Sequence, residues 1–370
     1  MSRGPGPMGV LAVDLMERGI IAWQQRRAAA ARQARLADPA VRVGVEVIRS
    51  ARGAISEAQV ADRLRAVRQA RPEWWFAGDV DPLARIGDVD SVVATARSIV
   101  AIEVKSAWHG PEQLDQAARS AKALGRLSSG HRALAFLVVA DGDPPAQRHF
   151  AADGTPVTLV GPSFLVSAMQ ALIRGDGAFV PAVAPRLARQ LYAAQQEADQ
   201  LATAMGHCAR WLAPQQWLVA RHVSLMDVQG PVRLLAAGPT GIFVAEPAGI
   251  DEHAAAVRAA RKARELAATL RGLRCDVVPV VLRGQRTPAA WLTTAGGDTV
   301  WGIDAAETAG HLHHTAPQAG VHAGCVSRMR SPAPGWSYDL RAGDGGSWSW
   351  SVRVDPATVP PSWPRHQTAA

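Results

Sequence analysis

Apolar and polar positions alternate along the chain in two rhythms, one typical of strands and one typical of helices. IVAIEVKS (99–106) alternates in the manner of a strand, and ALAFLVVA (133–140) is a continuous apolar run of strand length. AISEAQVADRLRAV (54–67) has helical spacing and predicts an amphipathic helix with Glu57 in its first turn. The apolar positions of this helix that we expect to face inward are Val60, Leu64 and Val67.

The same order of segments occurs twice: a helix, a strand, a β-hairpin, a second helix and a buried strand. The hairpins align without a gap at an offset of 143 residues, and the helix and strand that follow align at 142. The matched pairs are GDVDSVVATARSIVAIEVKS (87–106) with GPVRLLAAGPTGIFVAEPAG (230–249), AARSAKAL (117–124) with AARKAREL (259–266), and GHRALAFLVVADG (130–142) with GLRCDVVPVVLRG (272–284). Agreement in order and period predicts an internal duplication, with one residue lost between the matched blocks.

The duplication predicts an α/β fold of two tandem units, each a mixed central sheet flanked by helices. We expect four regions: a basic helical leader (1–39), a first unit (40–180), a second unit (181–325) and a tail rich in Pro, Gly and Trp (326–370). Within the tail, SWSWSVRV alternates polar and large residues, which predicts an edge strand or a hairpin.

Composition narrows the class of protein. Hydrophobic residues make up 48% of the 370 residues and charged residues 19%, which excludes a disordered or fibrous chain. No run of about 20 apolar residues occurs, and three scattered cysteines do not suggest a disulfide framework, so we expect a cytoplasmic protein without a membrane span. Forty basic against 32 acidic residues give a net charge of +8, which favours a polyanionic partner such as nucleic acid.

The hairpin of the first unit carries the candidate chemistry. Glu103 and Lys105 project from the same face of their strand because side chains alternate. Asp90 lies on the preceding strand, and a tight turn near 96–98 would bring it beside Glu103. Two hard carboxylates suit Mg²⁺, and a nearby lysine can orient water or stabilise developing charge, a combination that suits phosphodiester hydrolysis. The plain alternative is an ion pair at the end of a strand.

These motifs resemble the nuclease-related domain (NERD) family of the PD-(D/E)xK nuclease superfamily. The resemblance covers about residues 45–175, through SEAQVADRL, GDVDSVVAT, IVAIEVKS and the glutamine-bearing helix of HGPEQLDQAARSAKAL. It implies a restriction-endonuclease-like fold, a Mg²⁺ or Mn²⁺ cofactor and a nucleic-acid partner, with DNA as the expected substrate. The roles it implies are metal ligation by Asp90, Glu103 and the Val104 carbonyl, catalysis by Lys105, an accessory acid at Glu57, and a substrate contact by Gln113 or Gln116. The hairpin turn departs from the family, because ATARS replaces its usual Gly-Pro-x-Gly.

The second unit keeps that turn as GPTG but lacks the chemistry. The alignment places Arg233 at the position of Asp90 and Ala248 at the position of Lys105, while Glu246 matches Glu103. We therefore interpret it as a degenerate copy that serves as a structural partner or a DNA-positioning surface.

The sequence thus favours a metal-dependent nuclease with one active unit. Two alternatives stay open. One is a non-catalytic nucleic-acid-binding or assembly module that retains a nuclease fold. The other is a scaffold protein that binds neither nucleic acid nor metal. The oligomeric state is not predicted.

Overall fold

A computed structural model describes residues 37–80, 89–128, 130–273, 275–284, 286–314, 321–343 and 348–355. The expected basic leader lies outside this part of the chain except for its last three positions, and so does the end of the tail beyond residue 355. Within the described part, no helix is both long enough and apolar enough to cross a membrane.

The first unit is built on a six-stranded mixed sheet. Its elements are α1 (Pro39–Ala70), β1 (Trp75–Val80), β2 (Val89–Ala94), β3 (Ser98–Lys105), α2 (Glu112–Leu127), β4 (Arg132–Val139), β5 (Gln147–Phe150), β6 (Pro156–Val160) and α3 (Pro162–Ile173). The strand order is β1-β2-β3-β4-β6-β5. Strands β1 to β3 pair antiparallel, β3, β4 and β6 pair parallel, and β5 is an antiparallel edge.

The second unit repeats this design. Its elements are α4 (Pro185–Trp211), β7 (Leu218–Val223), β8 (Val232–Gly238), β9 (Gly241–Pro247), α5 (Glu252–Thr269), β10 (Val277–Arg283), β11 (Ala290–Thr293), β12 (Thr299–Asp304), α6 (Thr308–His314) and α7 (Val321–Arg330). The strand order β7-β8-β9-β10-β12-β11 equals that of the first unit, with the same parallel and antiparallel pairs. The expected α/β fold of two tandem units, each a mixed sheet flanked by helices, is therefore confirmed.

The strand ladders correct one detail of the sequence alignment. Glu103 lies opposite Leu137 in the first sheet, and Glu246 lies opposite Val281 in the second. Strands β4 and β10 therefore correspond at an offset of 144 residues. This offset is two residues larger than the 142 expected from the sequence. A shift of two leaves the alternation of a strand unchanged, because side chains return to the same face every second residue. The apolar pattern could not detect the difference.

Helix α1 begins earlier than the pattern of 54–67 predicts. The Asp38 side chain accepts a hydrogen bond from the Ala40 amide at 2.9 Å, and Pro39 occupies the first turn, where a proline costs no hydrogen bond. Glu57 therefore lies in the middle of a 32-residue helix and not in a first turn. Gly44 allows a close approach of α7, because a Cβ atom there would lie 2.3 Å from the Met329 carbonyl oxygen.

The two long helices each contribute to both units. The first half of α1 packs into the core of the second sheet, and its second half packs against the first sheet. Helix α4 does the reverse, with its first half in the core of the first unit and its second half in that of the second. The α1 residues buried in the second core are Ala40, Val43, Val47, Ile48 and Ala51, and those buried in the first are Val60, Leu64 and Val67. This exchange joins the units through buried apolar surface.

The tail forms a hairpin of β13 (Ser337–Ala342) and β14 (Trp348–Arg353), which is one of the two forms expected for SWSWSVRV. Tyr338 is buried, and its hydroxyl donates a hydrogen bond to the Val219 carbonyl of β7. The hairpin therefore packs on the second unit.

Candidate active site

The β2–β3 hairpin places the predicted carboxylate and lysine on one face of the sheet. Glu103 and Lys105 are two residues apart on β3, and the Lys105 Nζ lies 3.5 Å from a Glu103 carboxylate oxygen. Val104 points to the opposite face, into the cluster formed with α1 and α3. The Lys105 side chain is 26% exposed, whereas that of Glu103 is 1% exposed, so the lysine forms the accessible side of the pair.

Glu103 is held by helix α2, which packs on this face of the sheet. The Gln116 Nε2 donates a hydrogen bond to Oε2 at 2.8 Å, and the Ser120 hydroxyl donates to Oε1 at 2.6 Å. The two donors are four residues apart on one face of α2. A buried carboxylate is costly unless it is hydrogen-bonded, and these two donors meet that requirement without adding a positive charge.

Asp90 reaches the same point from the neighbouring strand. Its Oδ2 accepts a hydrogen bond from the Val104 amide at 2.6 Å. The N–H and C=O of one strand residue point toward the same neighbouring strand, so the Val104 carbonyl also faces the Asp90 side. The Lys105 carbonyl, by contrast, accepts from the Ala140 amide on the β4 side. The geometry therefore agrees with the set of oxygen donors that the family resemblance implies.

The surroundings of Asp90 make ionisation of its carboxyl group unfavourable. Desolvation raises the pKa of Asp90 well above its usual range, and the nearby carboxylates of Glu103 and Glu57 raise it further. Lys105 and the Val104 amide oppose this rise and do not cancel it. A site in which carboxylates repel each other in a desolvated setting favours a bound cation.

The donor set fits Mg²⁺ better than a softer metal. Asp90, Glu103 and the Val104 carbonyl provide oxygen atoms, which Mg²⁺ prefers, and Mg²⁺ retains several waters as further ligands. Within the described residues, no group of three or more His, Cys, Asp or Glu side chains lies close enough to form a ready-made metal site. A site with two carboxylates would rely on water and on the backbone for its remaining ligands.

The two candidate glutamines differ in position. Gln113 bonds to the loop that precedes its helix, because its Oε1 accepts from the His109 amide at 3.0 Å and its Nε2 donates to the Ala107 carbonyl at 3.3 Å. Gln116 bonds directly to Glu103. Ser120 was not among the residues predicted from the sequence. It is a polar residue within the buried, otherwise apolar face of α2, a pattern that indicates a buried hydrogen-bond partner.

A cleft of about 620 Å³ leads to this site. It is lined by Glu57 on α1, by Val104 and Lys105 at the end of β3, and by Gln113 at the start of α2. Asp90 and Glu103 lie directly behind this lining, in contact with Val104 and Lys105 respectively. The structure therefore brings all the predicted residues to one end of the first sheet.

The corresponding site of the second unit is filled by protein cations. Glu246 is 1% exposed, and the Lys262 Nζ lies 2.7 Å from its Oε1. The Arg258 Nε lies 3.6 Å from Oε2, and the Arg233 amide donates to Oε1 at 3.3 Å. Lys262 stands at the position of Ser120 and Arg258 at that of Gln116, both at an offset of 142 residues.

The chain matches no protein-family model, no curated protein and no solved structure. Its function is therefore inferred from its own residues and their geometry.

Proposed function

We propose that the chain is a metal-dependent nuclease that hydrolyses phosphodiester bonds of DNA in its first unit, in the manner of PD-(D/E)xK enzymes. The observation that carries the proposal is the convergence of Asp90, Glu103 and Lys105 at the end of β3, beside a cleft. Burial and two neighbouring carboxylates raise the pKa of Asp90, whereas in an ordinary ion pair the partner cation lowers it, so Asp90 is better explained as a metal ligand.

Each residue has a role that follows from its position. Asp90, Glu103 and the Val104 carbonyl would hold Mg²⁺ or Mn²⁺, which when bound lowers the pKa of water and offsets charge on the phosphate. Gln116 and Ser120 fix the Glu103 carboxylate. Lys105 presents its ammonium to the cleft, where it would orient the attacking water or stabilise charge on the phosphate oxygens. Attack by water forms one P–O bond and breaks the P–O bond to the leaving oxygen. The attacking water gives up one proton to the solvent, and the leaving oxygen takes up one proton from the solvent.

Metal binding provides the first test, because it does not require a substrate. Calorimetry with Mn²⁺ should detect one binding site in the wild type and none in Asp90→Ala. The proposal would be wrong if the wild type bound no metal even when a DNA oligonucleotide was present.

Cleavage provides the second test. Lys105→Ala should lower the rate of DNA cleavage by a factor of more than about 100, the usual cost of losing a group that stabilises transition-state charge. Lys122→Ala is the matched control, since Lys122 is a half-exposed lysine paired with Asp153 on the surface. Its cleavage rate should equal that of the wild type. Wild-type cleavage by Lys105→Ala would contradict the role given to Lys105.

The second unit favours one alternative, a non-catalytic nucleic-acid-binding or assembly module. Its sheet keeps the same strand order although Arg233 and Ala248 replace the aspartate and the lysine. The fold therefore does not require the chemistry. DNA binding that is unaffected by Mg²⁺ and by Lys105→Ala, without cleavage, would support this alternative.

A further inference from the structure

The second unit contributes to the cleft of the first. The residues that follow β7 line the cleft together with β3 and α1, and they include Ser224, Leu225 and Met226. Met226 is 81% exposed. Its side chain therefore lies within reach of a molecule bound in the cleft.

This segment is anchored to the helix that carries Glu57. The Ser224 amide donates to the Ser50 hydroxyl at 3.0 Å, and the Met226 amide donates to Glu46 at 3.2 Å. Asp227 forms an ion pair with Arg42 at 2.5 Å. All three partners lie on α1, which is itself buried in both cores. The segment is therefore a fixed wall, since moving it away would break these contacts.

The cleft has the size and charge of a path for one strand of nucleic acid. A volume of about 620 Å³ is in the range of pockets for small ligands, so it admits a short stretch of one strand and not two paired strands. Its charged lining residues are the cations Arg49, Arg52 and Lys105 and the acids Glu46 and Glu57. The two arginines lie together on the α1 side and offer positive charge to phosphates. Sites for single-stranded nucleic acid combine basic side chains along the backbone with contacts to the faces of unpaired bases, usually from aromatic residues. In this cleft the exposed side chain beside the arginines is the apolar Met226.

We propose that the second unit restricts the substrate to single-stranded nucleic acid, with Met226 contacting a base and Arg49 and Arg52 contacting phosphates. The inference depends on the proposed nuclease function for the identity of the substrate. It assigns to the degenerate unit a specific role, which is to narrow access to the carboxylates behind Lys105 and Val104.

The test measures binding separately from catalysis. Labelled single-stranded DNA and a blunt duplex of the same sequence are titrated with the protein in EDTA at fixed salt, and fluorescence anisotropy reports the affinity. We expect the wild type to bind the single strand at least about tenfold more tightly than the duplex, which corresponds to about 1.4 kcal/mol. Equal or tighter binding to the duplex, or no binding to either DNA, would overturn the inference.

Two variants locate the contact. Met226→Glu places a negative charge at the wall of the cleft and should weaken single-strand binding by about tenfold. Val257→Glu is the control, because Val257 is an exposed residue of α5 that does not line this cleft, and it changes the net charge equally. Equal effects of the two variants would refute the contact with Met226.

The two proposals can fail separately. In one outcome, the protein binds single-stranded DNA tightly, Met226→Glu weakens that binding, and Mg²⁺ produces no cleavage. The proposed catalysis is then wrong and the role of the second unit stands. If DNA is cleaved in Mg²⁺ and the duplex is cut at least as fast as the single strand, the catalysis stands and the restriction to single strands is wrong.

Discussion

Glu103 and Glu246 occupy the same position in the two sheets and are buried to the same extent, but the helices packed on them supply different partners. Around Glu103, the partners supplied by α2 are the neutral donors Gln116 and Ser120. Around Glu246, the same two helix positions carry Arg258 and Lys262. The fold thus accepts a buried glutamate under two conditions. In the first unit, two neutral donors bond to it and the partly exposed Lys105 lies 3.5 Å away. In the second unit, the packing helix supplies two cations.

The difference shows what distinguishes a candidate metal site from a structural ion pair. In the second unit, the Lys262 ammonium already neutralises the carboxylate, so a metal would have to displace a buried cation. In the first unit, desolvation and the neighbouring carboxylates Glu103 and Glu57 make the ionised form of Asp90 unfavourable and raise its pKa. A bound metal cation would stabilise the ionised carboxylates, which is the physical reason to place it in the first unit.

We expect the largest effect from a substitution that breaks the internal ion pair of the second unit. Lys262→Ala would leave Glu246 buried without its closest cation, so we expect the free energy of unfolding to fall by about 3–5 kcal/mol. Chemical denaturation of the full chain measures this change. Lys122→Ala should have a far smaller effect, because both partners of that ion pair are half-exposed. Similar losses in the two variants would contradict a special role for Lys262.

A second change transfers the cation into the first unit. Ser120→Lys places an ammonium where the second unit has Lys262, so it should neutralise Glu103 and weaken Mn²⁺ binding by about 100-fold, or about 2.7 kcal/mol. Calorimetry measures the affinity, and circular dichroism checks that the chain stays folded.

Ser120 is fully buried, so a larger side chain could also disturb packing. Gln116→Arg repeats the transfer at a half-buried position, with the residue that the second unit has at 258. It should also weaken Mn²⁺ binding. If both variants fold and bind Mn²⁺ as tightly as the wild type, a positive charge beside Glu103 does not control the affinity for the metal.

We expect a smaller effect on Mn²⁺ affinity from the glutamines of α2, and the two should differ from each other. Gln116→Ala removes a hydrogen bond to Glu103 and should weaken Mn²⁺ binding by about tenfold, as is common for residues that orient a metal ligand. Gln113→Ala removes only bonds to the loop at 107–109 and should leave the Mn²⁺ affinity unchanged. The reverse order of effects would assign the orienting role to Gln113.

Much of the fold was accessible from the sequence, because alternation and repetition are local signals. The period of two placed Glu103 and Lys105 on one face, and the ungapped match of the hairpins correctly paired Asp90 with Arg233 and Glu103 with Glu246. The same alternation could not distinguish an offset of 142 from one of 144 at β4 and β10.

The contacts that complete the site were less accessible, since they depend on packing between distant segments. Ser120 and Lys262 align in the repeat, yet only the packing of α2 and α5 on the sheets shows that each reaches a buried glutamate. The contribution of Met226 to the first cleft depends on α1 crossing between the units. A sequence pattern describes faces of single elements and does not predict such crossings.

The smallest expected effect concerns the charges near His222, at the end of β7. Desolvation and the cations Arg233, Arg221 and Lys262 hold the pKa of His222 well below its usual value of 6.5, in contrast to the carboxylates that raise the pKa of Asp90. The folded state therefore keeps His222 neutral, while the unfolded state takes up a proton as the pH falls below 6.5. The contribution of His222 to the free energy of unfolding is therefore fully present above pH 6.5 and is lost as the pH falls below that value.

His222→Asn removes this proton uptake and keeps a residue type that tolerates the left-handed backbone of this position, where φ is 53°. Between pH 7 and pH 5.5, the wild type should lose about 1 kcal/mol more of its free energy of unfolding than the variant. Denaturation curves at both pH values measure the difference. If the two proteins lost equal stability, His222 would be as easily protonated in the folded chain as in the unfolded one. The second site would then not act on its surroundings as a centre of positive charge, and the contrast between the two units would be limited to the glutamates themselves.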